Sequence, residues 1–498
     1  MSTSAGWRRA SWVLALLVLL GIVVGCTEDT PAPAPSTATT VRPFTVATTQ
    51  RVRQLDPAYV TTDMGAMVAT AVYQRLLTYN ADTHELKPDA ASDCLFRQAL
   101  VYECTLRSNL VFHNGNALTS RDVKHSIERA LTLGVQAGTA VLFSSLSEIR
   151  TPDAKTVQFV LTWEDNQFAQ ALASPAASIV DEPSYAATSV RSDDQLPIGS
   201  GPYELVRRSN GEAVFSRSAS YEGATPGSIS TIRVQTLDDT SAVEQAVIAG
   251  TAEVAWQGLD EPAVTRLQQQ IDASSSHTTD SGWSRVARSG MLVRRLIWSP
   301  SSSHRLDAAL RGRISLALQS ERTLDSIVPR GVDGYAAAFS QGGIATVPTT
   351  DTSGITLVLG YDSGAPGAAQ LAQVIENRLQ SSAGLDVVVR ADADQADLQL
   401  SDALPALATA TGWMLPYLTN PLPGSAAKVE QLDQRARTTD DGNARTVALS
   451  ELQQQAAADN VVIPVSQTDG ALFVGPGVSI ADGGFGPGGQ LALWGLEQ

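Results

Sequence analysis

Apolar positions along this chain follow two periods that alternate from end to end without a fixed repeat. Alternation at every second residue predicts strands at 44–48 and at 156–163, where Val157, Phe159, Leu161 and Trp163 share a face. Segments 100–106, 385–389 and 461–465 read as further strands, the first as half of a hairpin. Spacing of three and four predicts helices: Met64, Met67, Val68, Ala71, Val72 and Leu76 make one buried face over 63–79. Thr119 with Asp122 is a capping pair for a helix carrying Val123, Ile127, Ala130 and Leu131. Ser241 with Glu244 predicts a second such cap, and Gly250 a stop. Long helical patterns cover 305–328, interrupted at Gly312, and 368–380; two more share 428–459 with a break at 440–442. This alternation predicts α/β or α+β layers rather than a solenoid or propeller. The Thr-, Pro- and Gly-rich stretch 344–354 reads as a joint between subdomains, and the Gly-rich stretch after Gly475 as an irregular tail that packs back.

The first residues follow a different logic. Arg8 and Arg9 precede an uncharged run from 12 to 24, then Gly25 and Cys26. That is the arrangement of an export signal over 1–25. The run is 13 residues long, too short for a bilayer core that needs about 20. Val23, Val24, Gly25 and Cys26 resemble the lipobox of bacterial lipoproteins, which implies that Cys26 is acylated and becomes the new N-terminus. Residues 26–40, rich in Pro, Ala, Ser and Thr, read as a disordered tether. With Cys26 assigned to a lipid, Cys94 and Cys104 remain as a pair flanking a hairpin turn. In an oxidising compartment they read as a cross-strand disulfide; a redox dithiol is the sharper alternative, but Cys-x-x-Cys spacing is absent.

Composition narrows the function classes. The 498 residues are 43% apolar and 17% charged, with 35 basic against 51 acidic side chains and a net charge of −16. Loss of 1–25, which holds two arginines and no acid, takes this to −18. The length predicts roughly three globular domains, and the negative field repels nucleic-acid phosphates. No nucleophile elbow, phosphate loop, metalloprotease or calcium-loop motif is present, and the five histidines lie singly, so no enzyme, cofactor or metal site is expected. Gly199, Ser200 and Gly201 precede Pro202 and read as a turn, and His113 as a packing or turn residue.

The stretch 112–130, with Phe112, His113, Asn114, Gly115, Leu118, Thr119, Asp122 and Ile127, is similar to the signature of the family 5 extracellular solute-binding proteins, the dipeptide, oligopeptide and nickel receptors of ABC importers. Pro197 to Leu205, then Tyr221 with Gly223, then Gly250 with Val254 and Trp256, follow that family's order. Leu310 to Leu318 and Ile463-Pro464-Val465 resemble its later helix and closing strand. The resemblance runs from about 44 to 474. It implies an α/β, two-lobed periplasmic-binding-protein type II fold (cluster C-like) with an extra subdomain inserted in the first lobe. The implied parts are 41–78, 198–288 and 470–498 for lobe I, 79–197 for the insert and 289–469 for lobe II.

The second lobe departs from the family. Peptide receptors carry Trp-x-x-Asp-Tyr-x-Asp-Pro, whose first Asp holds the peptide ammonium; here the stretch is Trp413-Met414-Leu415-Pro416-Tyr417, with Pro416 at the anchoring position. The expected function is a monomeric lipoprotein on the extracytoplasmic face of the cell membrane. It would deliver a peptide or other bulky solute to ABC permease subunits. The alternative is a fold retired from transport and used as an envelope scaffold or regulator. Expected solute contacts are Trp256, Gln257, Trp413 and Tyr417, with Tyr59 and Thr61 by family position. On that reading Trp413→Ala weakens affinity and leaves the melting temperature unchanged.

Overall fold

The structure is a computed structural model that describes residues 42–80, 82–134, 138–339, 352, 354–402 and 404–498, with backbone alone for 288–291 and 471. The export segment, Cys26, the tether and nearly all of the 344–354 joint lie outside the described residues.

A ten-stranded sheet runs through the molecule in the order Asp386–Ala391, Thr356–Tyr361, Leu398–Ser401, Ser284–Trp298, Val462–Val474, Val254–Trp256, Phe44–Thr48, Thr231–Thr236, Glu212–Arg217, Tyr203–Arg208. Its two longest strands, Ser284–Trp298 and Val462–Val474, pair antiparallel from Ser284↔Val474 to Ile297↔Val462 and so pass from one half of the sheet into the other. Phe44–Thr48 is parallel to both Thr231–Thr236 and Val254–Trp256, and all five of its residues are buried. Burial on both faces is what parallel strands with covering helices require.

Four hydrophobic cores form among the described residues, the smallest packing Val243, Val247, Leu267 and Trp283 against Ala47 and Phe473 of this sheet. The first gathers Val46, Met67, Val68, Tyr203, Phe215 and Ile232 with Leu472 and Leu493. The second holds Val293, Leu310, Leu359, Ile375, Leu452 and Ile463. The third, built on the four strands Ala91–Gln98, Val101–Leu106, Thr156–Leu161 and Leu146–Arg150, also takes in Leu407 and Leu415 from the far end of the chain. The C-terminal stretch is irregular but buries Phe485 and 491–496 in the first core.

Local signals gave several elements as expected. Thr119 and Asp122 form a reciprocal capping box on Ser120–Leu133, with the Thr119 amide donating to Asp122 Oδ2 at 2.8 Å. Cys94 faces Cys104 across the hairpin and is bonded to it. His113 donates its amide to Gly199 O, and its ring Nε2 lies 3.0 Å from Gly201 O.

Three expectations need correction. The helix over 63–79 is Asp63–Val72, and Leu77–Tyr79 is a strand paired with Leu86–Pro88. The carbonyl of Val72, which a longer helix would use for its own next turn, accepts instead from the Gly201 amide at 2.7 Å. A Cβ at Gly199 would sit 2.0 Å from that same oxygen, so glycine is what lets the two segments touch. The cap at Ser241 is two residues late: Asp239 accepts from the Ala242 amide and starts Thr240–Ile248, while Glu244 pairs with Arg266 at 2.5 Å. The long helix 305–328 is Ala308–Ala317 and a short turn, because the Thr323 amide pairs with Val465 O of the crossing strand at 2.8 Å.

Candidate functional site

Two cavities open between the first and second cores. The larger, 710 Å³, is walled by Val60, Thr61, Ala176, Ile297, Leu415 and Pro416. The smaller, 260 Å³, is lined by Trp256, Gln257, Arg285, Arg294 and Asp402. Leu404 lines both.

At the partition, Asp63, first residue of its helix, bridges Gln257 and the segment at Leu404, far apart in the chain. Its Oδ1 accepts from the Leu404 amide at 2.8 Å and its Oδ2 from Gln257 Nε2 at 2.6 Å. Burial pushes its carboxyl up to about 7, against those two hydrogen bonds. Burial likewise raises Asp402 and lowers Arg295 to about 10. Arg295 partly offsets the burial of both carboxyls, whereas Asp402 adds to the rise at Asp63.

The loop that carries Thr61 is pinned by Gln54, whose Oε1 accepts from the Thr61 and Thr62 amides at 2.9 and 3.1 Å. Gln54 and Gln257 both hold positive φ, at 59° and 48°, a conformation costly for a side chain and concentrated at functional sites. The buried Trp256 Nε1 and Gln257 Oε1 find no hydrogen-bond partner among the described residues, so beside the smaller cavity one donor and one acceptor are open to a solute or water.

The expected contacts separate into two groups. Trp256 and Gln257 line the smaller cavity and Thr61 the larger. Tyr59 sits half-buried in the turn Pro57–Tyr59 and lines neither. Trp413 and Tyr417 also line neither: they are 1% and 0% exposed and belong to the second core. The helix Ala410–Thr419 explains this. Gly412, Leu415, Pro416 and Thr419, spaced by three and four, face the larger cavity, which leaves Trp413 and Tyr417 on the opposite side. Trp413 stacks under the Arg295 guanidinium, 5.3 Å from the ring centre, and Tyr417 donates to Asp459 Oδ2 at 2.7 Å. Asp63 and Leu404 escaped notice because an acid in a helix's first turn and an apolar residue in a loop have ordinary local meanings.

Among the described residues no group of three or more His, Cys, Asp or Glu is placed to hold a metal ion, and no helix is long and apolar enough to cross a membrane.

Residues 85–291 match the model of the bacterial extracellular solute-binding proteins, family 5 Middle. The probable D,D-dipeptide-binding periplasmic protein DdpA of Escherichia coli K12 is 31% identical over 182 residues, 34% of this chain and 35% of that protein. The HTH-type transcriptional regulator SgrR of Pectobacterium atrosepticum is 29% identical over 150 residues, 29% of this chain and 24% of its own length. These matches thus span about a quarter to a third of each relative. Over nearly the whole chain the fold is that of solved binding proteins. Haemophilus influenzae OppA in complex with the peptide RPPGFSPFR gives a TM-score of 0.75 at 13% identity, covering 91% of this chain and 98% of that one. DppA from Helicobacter pylori in complex with the peptide STSA gives 0.74 at 15%, covering 91% and 97%. The architecture is the two-lobed α/β type II periplasmic-binding fold. The likeness to the family 5 extracellular solute-binding proteins is thus carried by residues 85–291, which match that family's middle domain.

Proposed function

We propose that this protein is a monomeric lipoprotein, anchored through Cys26 on the extracytoplasmic face of the membrane, that delivers a peptide or other bulky solute to the permease of an ABC importer. The observation that carries the reading is the 710 Å³ cavity lined by Val60, Ala176, Ile297, Leu415 and Pro416. Its volume lies in the usual range for small-molecule sites, about 300–1,000 Å³. The unsatisfied donor and acceptor beside the smaller cavity support a solute that reaches past Leu404. The wall formed by Pro416, Leu415, Ile297 and Val60 favours apolar side chains over a charged end at that point.

A second reading, a regulatory or scaffolding lipoprotein, is favoured by Pro416 in the cavity wall and by the likeness to a transcriptional regulator. Titration calorimetry with di- to pentapeptides separates the two, using Ala66→Trp as the control. Ala66 lines the larger cavity, so the indole intrudes on it: transport predicts binding to the wild type that the variant weakens at unchanged melting temperature. Absence of binding across such a library favours the scaffold.

A further inference from the structure

One side-chain amide on the wall of the smaller cavity has its two ends treated differently. Gln257 follows the strand Val254–Trp256 with φ at 48°, and its carbonyl accepts from Thr49 Oγ1 at 3.2 Å. Its Nε2 donates to Asp63 Oδ2 at 2.6 Å, whereas its buried Oε1 finds no hydrogen-bond partner among the described residues. Oxygen and nitrogen of an amide are nearly the same size, so packing alone does not choose between the two senses. Asp63 makes that choice. Its other oxygen accepts from the Leu404 amide at 2.8 Å, and a carboxylate that accepts at both oxygens has no hydrogen to give. The nitrogen of Gln257 therefore turns to Asp63, and the oxygen is the end left to the cavity that Gln257 lines.

The rest of that wall suits the acceptor. Asp402, Glu261 and Asp469 set three carboxyls against the two guanidiniums of Arg285 and Arg294. Both arginines also donate elsewhere, Arg294 Nη2 to Pro366 O and Arg285 Nη1 to Gln268 Oε1 at 3.1 Å. Asp402 lies near Arg294 and Arg295, which favour its charge, and near Asp362, which opposes it. Trp256, 4% exposed, adds an indole N–H that has no partner among the described residues. An open acceptor on the same wall as a carboxyl, with an open donor on the preceding residue, fits a cationic nitrogen that gives hydrogens and a nearby carbonyl that takes one. The α-ammonium at the start of a peptide has that form.

We propose that the smaller cavity takes an ammonium end of the solute on Gln257 Oε1 and Asp402, and that Asp63 is the positioning residue that turns the Gln257 oxygen toward it. The inference rests on the solute reading above and adds the chemistry of one end of that solute. Reversing the Gln257 amide would put a donor where the ammonium sits, which costs binding without altering the rest of the site.

Equilibrium dialysis of the full chain, freed of co-purified solute by dialysis in denaturant and refolding, tests it at about pH 7.5, above the value of about 7 at which Asp63 ionises. The probes are a mixture of di- to pentapeptides and its N-acetylated copy, with the retained species read by mass spectrometry. Acetylation removes the charge and two of the hydrogens, so the wild type is expected to retain the free mixture about tenfold better or more. Asp63→Asn removes a buried charge and is expected to melt no lower than the wild type at that pH. The Leu404 amide still demands an oxygen, so the variant's amide nitrogen faces Gln257 and reverses it; the preference for the free mixture is expected to fall to about even. A change of packing alone would lower both mixtures together. Asp402→Asn is expected to lower retention of the free mixture about tenfold and to leave the acetylated one unchanged. Equal retention of both mixtures by the wild type would overturn the inference and leave the solute reading standing, whereas retention of neither would overturn both. A preference that survives intact in Asp63→Asn, or an equal loss of both mixtures there, would overturn the role of Asp63.

Discussion

Truncating Trp413 to alanine distinguishes a core residue from a solute contact. The indole is 1% exposed and fills the second core between the helix Ala410–Thr419 and the crossing strand. A buried tryptophan removes about 200 Å² from water, worth roughly 5 kcal/mol at ~25 cal/mol/Å², of which alanine retains a small part. The Arg295 guanidinium stacked on the ring loses a further favourable contact of about 0.5–2 kcal/mol, while partial collapse of the vacated space recovers some of the loss. Measured costs for such truncations run about 3–5 kcal/mol. For a compact unit spanning Pro43–Gln498, with an unfolding entropy of about 2.1 cal/mol/K per residue, that lowers the melting temperature by roughly 3–5 °C. Differential scanning calorimetry reads the shift, and calorimetric titration well below the transition reads affinity, which is expected to hold at the wild-type value. An unchanged melting temperature with lost affinity would refute the core assignment and restore Trp413 to the cleft.

Three further outcomes follow from the same physics. Asp63 keeps its proton in the folded state up to about pH 7, whereas its ordinary value is 3.8. Its ionisation therefore opposes folding increasingly from about pH 4 to pH 7, reaching roughly 4 kcal/mol, and adds nothing beyond. Chemical denaturation of wild type and Asp63→Asn across that range should show the variant gaining on the wild type as pH rises; a constant difference would remove the assigned titration. Arg129→Met leaves Asp56 buried without its cation and is expected to cost about 3–5 kcal/mol in urea unfolding, and a cost below about 1 kcal/mol would contradict the pairing. Replacing both Cys94 and Cys104 by serine opens a short loop, with an expected loss of about 2–3 kcal/mol, seen as faster proteolysis within the insert while the Phe44–Thr48 region stays resistant; an unchanged digestion pattern would count against a stabilising disulfide.

What could be seen in the sequence was what local chemistry decides. The Thr119–Asp122 cap needs only residues three apart, and Cys94 with Cys104 needs only a hairpin; both stand as expected. The helix beginning at Asp63 was legible at its start but not at its end, because its stop is set by a backbone bond from Gly201, remote in the chain. Glu244 looked like a capping residue until Arg266 on the next helix claimed it. Trp413 and Tyr417 were read on the right helix but the wrong face: with apolar residues nearly all round Ala410–Thr419, periodicity does not say which side meets the cavity. Asp63 and Leu404 carry signals that exist only after folding, since burial and partners remote in the chain give each its role.

The claim on which the account rests is that the space between the lobes receives a solute. Native mass spectrometry of the gently purified full chain tests it most directly. One bound small molecule per chain is expected, displaced or lost in Ala66→Trp, whose larger side chain intrudes on the 710 Å³ cavity. A wild-type protein that carries no solute, takes up none from peptide and sugar libraries and has the same mass spectrum as Ala66→Trp apart from the substitution would contradict it.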